Sequence, residues 1–173
     1  MGYQAIHYRS VAAGPGRAVA VGHTYGLMPN VGVITTTTDG LTWSERRQAG
    51  AQFGTVAYGN GVFVACTNSA VCATSSDGLT WVDATVGTGD GSVVFTGTEF
   101  LVVRSNGTFR STNGTGWTMA NANTRGIAGY FAGAYFSFDW PLRIQRSTNQ
   151  TAWSPVFQPL GSGLTGLAVG TVP

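Results

Sequence analysis

At 173 residues, with 9% charged residues, a net charge of +2 and 26 glycines, the chain is one domain's worth of turn-rich sequence dressed mostly in Thr, Ser, Asn and backbone. No basic run is present, which excludes the electrostatic footprint of a nucleic-acid binder, and no apolar stretch reaches the length of a bilayer span. Neither a secretion signal nor membrane insertion is expected, and so uncharged a surface suits packing into an assembly.

In chain order, the segment 1–9, with YQAIHYR from Tyr3 to Arg9, is expected to help close the fold against the C terminus. Five blocks then recur: SVAAGPGRAVAVG from Ser10, TVAYGNGVFVACT from Thr55, SVVFTGTEFLVVR from Ser92, GIAGYFAGAYFSF from Gly126, and a truncated GLAVGTVP from Gly166. Each full copy is two short apolar, β-branched or aromatic runs around a glycine-containing turn, the signature of a hairpin. These are strands a and b of a unit.

Each hairpin is followed by a variable loop and a third run, c, that ends in one phrase: TTTDGLTW (Thr36 to Trp43), TSSDGLTW (Thr74 to Trp81), RSTNGTGW (Arg110 to Trp117) and RSTNQTAW (Arg146 to Trp153). The tryptophans recur at spacings of 38, 36 and 36 residues, within the range of repeat architectures. Asp39, Asp77, Asn113 and Asn149 are placed to reverse strand c into strand d by accepting backbone N–H bonds two residues on, and Gly supplies φ > 0. Trp43, Trp81, Trp117 and Trp153 then plug the gap between adjacent sheets, each with its N–H on a carbonyl. The reading is one all-β domain over 1–173, with four-stranded meanders at about 10–54, 55–91, 92–125 and 126–164 and a closing strand at 165–173. A small β-propeller of four or five blades, closed rather than open, is the expected architecture.

The phrase S/T-x-D-G-x-T-W on a c-to-d turn, following a hairpin such as GNGVFVA, resembles the Asp-box of the bacterial neuraminidase repeat (BNR) β-propellers, sialidases and non-enzymatic surface and phage proteins among them. The resemblance runs from Ser10 onward. In this chain the box is one residue shorter between Asp and Gly than is usual, and Gly116 and Ala152 replace the Thr before Trp in the last two copies. A sialidase would need an arginine cluster, a Tyr–Glu nucleophile pair and a general acid at the centre of the ring. Glu45 follows Trp43 in strand d, Glu99 lies in an a-to-b turn, Asp39 and Asp77 are taken up by turns, and Asp83 sits in an outer strand. Asp90 alone is too few ligands for a hard cation. No catalytic residue, metal or cofactor is therefore expected.

Binding residues are expected on the b-to-c loops, which vary most between units. Tyr25, Leu27 and Met28 make the first of these apolar enough for a subunit contact, and Trp140 in DWPL reads equally as a partner anchor or as a ring folded over its own blade edge. Arg110 and Arg146 occupy equivalent positions three before the turn residue; a strand brace or intersubunit contact is preferred over an anionic-sugar ligand. Cys66 and Cys72 bracket TNSAV; two small buried hydrophobes are preferred over a cross-strand disulfide. The implied role is a non-enzymatic structural or binding module, a virion component of tail, fibre or capsid surface contacting other virion or assembly proteins, itself as a homo-oligomer, or a host surface. The alternatives are a carbohydrate-binding propeller lectin and a degenerate sialidase-like glycosidase, with an extracellular or cell-surface location in place of the virion.

Overall fold

The computed structural model describes residues 5–26, 30–139 and 143–158, with the side chains of Arg46 and Gln48 left aside. Leu27, Met28, Trp140 and the expected closing strand 165–173 lie outside the described residues. Sixteen strands form four antiparallel sheets, each a meander in sequence order. The first blade is β1 (Ala5–Gly14), β2 (Arg17–Tyr25), β3 (Gly32–Thr37) and β4 (Ser44–Ala49); the second is β5 (Phe53–Gly59), β6 (Val62–Thr67), β7 (Val71–Ser75) and β8 (Val82–Thr85). The third is β9 (Ser92–Phe95), β10 (Phe100–Arg104), β11 (Gly107–Ser111) and β12 (Thr118–Asn121), and the fourth β13 (Gly129–Phe131), β14 (Ala134–Asp139), β15 (Arg143–Ser147) and β16 (Ser154–Phe157). Ala5–Tyr8, within the segment expected to help closure, pair in β1 with Gly22–Tyr25.

The c-to-d reversals are the same object built four times. Asp39 Oδ1 accepts the N–H groups of Leu41 and Thr42 at 2.8 Å each, while Thr37 Oγ1 donates to Asp39 and accepts from Gly40 N. Asp77 with Ser75, Asn113 with Ser111 and Asn149 with Ser147 repeat every bond. The residue after Asp or Asn is left-handed each time, at φ 74°, 70° and 77° for Gly40, Gly78 and Gly114 and 65° for Gln150. The backbone donors hold the Asp39 and Asp77 carboxyls down at about 2.

Sheets pack face to face in chain order, with β1 on β5, β5 on β9 and β9 on β13. At the first junction Val19, Val21 and Ile34 meet Phe53, Val56, Phe63 and Trp81; at the second Val64 and the Cys66–Cys72 pair meet Phe100, Val102 and Trp117; at the third Leu101 and Val103 meet Ile127, Tyr135 and Trp153. Burying one large side chain of this kind stabilises by about 1.5–3 kcal/mol. Three tryptophans thus plug junctions as expected, and the indole N–H groups of Trp117 and Trp153 donate to Gly114 O and Gln150 O. Trp43 does not plug a junction: it is 41% exposed, because no described blade precedes its own. The buried Trp81 indole N–H has no acceptor among the described residues.

Across each junction an aromatic pair from the a–b hairpin of the later blade enters the earlier one. Tyr58/Phe63, Phe95/Phe100 and Tyr130/Tyr135 stack at 4.7, 4.9 and 4.9 Å and are direct cross-strand partners. At the first two junctions the socket is a glycine: a Cβ on Gly14 would lie 2.6 Å from the Tyr58 ring, and one on Gly59 would strike Phe95. Hydroxyls pin the inner strands as well, Ser10 Oγ accepting from Val56 N and Thr55 Oγ1 from Val93 N. Among the described residues no comparable packing joins the fourth blade to the first.

Cys66 and Cys72 form a disulfide, correcting the preference for free thiols. The register sets them directly opposite on β6 and β7, with Cα atoms 4.1 Å apart, a pairing that their sequence spacing alone does not fix. Both are also fully buried in the second junction, so the packing half of the expectation holds.

Two measurements check this account. Gly59→Ala should lower stability by about 1–3 kcal/mol in urea unfolding, since the new methyl must displace the Phe95 ring. Because Asp39 and Asp77 have folded-state pKa values below the ordinary 3.8, their contribution is present above that pH and is lost as pH falls towards about 2. The double variant Asp39→Asn, Asp77→Asn should fold at neutral pH, as the native Asn113 and Asn149 turns do, and show a flatter decline in urea midpoint over that acid range.

Candidate functional site

Two clefts open at the end of the sheets where d-to-a connections and b-to-c loops meet. The first, about 290 Å³, is lined by Arg9, Gln52, Phe53, Gly54, Thr55, Asn68, Asp90 and Gly91. Arg9 and Gly54 are both bulge residues: the β1–β2 register shifts between Tyr8 and Ser10, and the β5–β6 register between Phe53 and Thr55. A bulge turns one extra residue out of the ladder and re-aims its side chain, here sending Arg9 to the cleft wall. Gln52 and Asn68 hold the rim by exchanging bonds, Gln52 N to Asn68 Oδ1 at 3.1 Å and Asn68 N to Gln52 O at 2.8 Å.

The second cleft, about 390 Å³, shares Asp90 and Gly91 and adds Ser92, Val103, Arg104, Ser105, Thr124 and Gly126. At the base of this second cleft lies Arg104, only 1% exposed. Its Nη1 donates to Thr67 O and Gly89 O at 2.7 Å, and its Nη2 to Val71 O at 3.2 Å and Cys72 Sγ at 3.1 Å, while Nε has no partner among the described residues. Burial pushes this guanidinium down to about 10, with Asp90 opposing, so it stays charged at neutral pH. The cation ties the b-to-c loop of the second blade to the third blade and holds the wall of the second cleft. Sequence reasoning passed over it; the available signal is a lone arginine ending an apolar strand where the first two copies carry Gly22 and Thr67.

The carboxylates do not converge. Asp83 pairs with Arg47 at 2.6 Å across the outer strands of the first two blades, and Asp139 takes Arg143 at 3.3 Å, Gln145 at 3.1 Å and Arg125 at 3.8 Å. Glu99 stays in its turn, where its backbone bonds Thr96. Among the described residues Asp90 is the one carboxylate lining the two clefts. Among the described residues no three His, Cys, Asp or Glu side chains are grouped to hold a metal.

Of the residues singled out for binding, Tyr25 is exposed and borders a separate hollow with Ala5, Ile6 and His7. Arg110 and Arg146 are exposed, and neither side chain makes a hydrogen bond or ion pair among the described residues. At the equivalent site of the second blade it is Thr74 that braces, donating to Gly114 O of the next blade at 2.7 Å. The variable loops do border the clefts, through Asn68 in the first and Ser105 in the second.

Four-stranded meanders packed face to face around their first strands define the β-propeller class. No family model matches the chain, and neither does any curated protein. Among solved structures it is similar to YCF48 from Cyanidioschyzon merolae, with a TM-score of 0.63 at 16% identity over 94% of this chain and 60% of that one. A structure of YCF48 bound to D1 peptide matches with a TM-score of 0.57 at 19% identity over 94% and 57%. A putative glycoside hydrolase from Parabacteroides distasonis gives 0.52 at 11% identity over 90% and 73%. The chain thus spans about three fifths of the YCF48 structures it matches, and the likeness to binding proteins and hydrolases alike defines the propeller fold and nothing finer.

The clamp role of Arg104 predicts that Arg104→Met destabilises by about 3 kcal/mol or more, since four carbonyl and sulfur acceptors lose their donor at once. Urea unfolding measures the loss, and Arg104→Lys should recover only part of it, because an ammonium cannot span the same forked set.

Proposed function

We propose that this chain is a non-enzymatic binding module that takes an extended segment of a partner protein across the paired clefts. The observation that carries this reading is Arg9, turned by a bulge to the wall of a polar cleft whose other charged group is Asp90. One cation and one anion beside amide side chains suit a peptide backbone with a charged side chain, whereas two-carboxylate hydrolysis needs a second acid that the cleft lacks. The YCF48 structure with a bound peptide supports a propeller of this shape as a peptide platform. The setting we propose is an assembly at a virion surface: the chain is sparsely charged, and its Cys66–Cys72 bond fits the oxidising surroundings of virion and cell surfaces.

Peptide display against the full chain should select binders whose affinity falls at least about tenfold, or about 1.4 kcal/mol, in Arg9→Ala and Asp90→Ala. Selection of no binder, or of binders indifferent to both substitutions, would overturn the reading. Turnover of a glycoside abolished by Asp90→Asn would instead make the cleft catalytic.

A further inference from the structure

The first and last described blades depart from the pattern of the internal junctions, where an aromatic pair enters at all three and meets a glycine at the first two, and they depart in opposite senses. In the first blade the positions of the aromatic pair are Ala13 and Ala18, direct cross-strand partners as Tyr58 and Phe63 are. Val11, the counterpart of the 7% exposed Val56, is 64% exposed, and Trp43 is the half-open member of the tryptophan series. Together with Gly14 and Thr37 these side chains line a hollow of about 310 Å³. The outer part of the same face is already buried at Val33 and Thr35, so the opening is confined to the inner strand and the Trp43 end.

In the fourth blade the socket position held by Gly14 and Gly59 is Phe131, which is 56% exposed. Phe136, Phe138, Ile144 and Phe157 share its face and are part-exposed or exposed, where Val64, Leu101 and Val103 on the earlier blades are buried. A large ring thus stands where the first two blades have a glycine, and alanines stand where the later blades have rings. Charge is reciprocal as well. Arg146 occupies the place of Thr74, the donor to the next blade's c-to-d turn, and the turn of the first blade carries the ionised Asp39 where the third and fourth blades have Asn113 and Asn149.

We infer that the open face of the fourth blade docks on the open face of the first blade in a second copy of this chain, with Phe131 seated between Ala13 and Ala18 and Arg146 against the Asp39 turn. Such a head-to-tail contact made twice closes a two-copy ring about a twofold axis.

Light scattering of the full chain over a dilution series should give twice the monomer mass. Phe131→Ser and Ala13→Tyr should each raise the dissociation midpoint about tenfold or more, and Arg146→Glu should do so in a salt-dependent way. Each of these side chains is exposed or stands at the rim of the hollow in the single chain, so thermal midpoints measured on dilute monomer should stay unchanged. Combining Ala13→Tyr with Phe131→Gly restores the ring-into-glycine fit and should restore association. A wild-type chain that is monomeric at about 100 μM, or a dimer indifferent to these substitutions, overturns the inference. So does a monomer that associates only after removal of residues 159–173, which would give the hollow to the chain's own C-terminal segment.

Discussion

An aromatic pair from one blade lying against the hairpin of the blade before it, on a glycine at the first two junctions, sets the spacing on which the rest of this molecule depends. With no Cβ at Gly14 or Gly59, adjacent sheets approach closely enough for Tyr58 and Phe95 to seat in the hairpin ahead of them. The same approach lets a serine or threonine hydroxyl on one inner strand meet an N–H on the next, as at Ser10 and Thr55. Sheets of four short strands have little stability alone; three apolar junctions make one cooperative body of them.

The turns serve a different purpose from the junctions. Each Asp or Asn satisfies donors that a tight reversal would strand, and the hydroxyl two residues earlier satisfies one more. A carboxylate and an amide oxygen accept equally well in this geometry, which is why two copies carry Asp and two carry Asn without change of backbone. The exposed carboxyl pays off only as a charge, and at Asp39 that charge sits on a face that no described blade covers.

The clefts arise where these constraints relax. At the loop end the inner strands begin with bulges, connections differ in length, and a buried arginine replaces the apolar packing found deeper in the junction. Arg104 bonds carbonyls in place of a carboxylate, so its charge is left to act on the cleft above, with Asp90 the nearest counterweight. Polar rims on a rigid scaffold favour recognition, and the scattered pairing of Asp83 and Asp139 keeps other carboxylates away from it.

The four meanders, their order and the chemistry of every c-to-d reversal were legible in the sequence, because turns are local: Asp or Asn, a hydroxyl two residues before and a left-handed residue after lie within one short phrase. The aromatic pairs were hidden by a slip of a single residue, since the ungapped alignment sets Gly129 on Phe95 where the hairpin register sets Tyr130 there. Register across strands also joined Cys66 to Cys72 and turned Arg9 out of the ladder, and neither follows from spacing along the chain. What tertiary structure alone decided was which faces are covered. Trp43 reads like its three siblings in sequence, yet it differs from them because burial depends on the sheet that lies opposite, and that sheet is far away in sequence or belongs to another molecule.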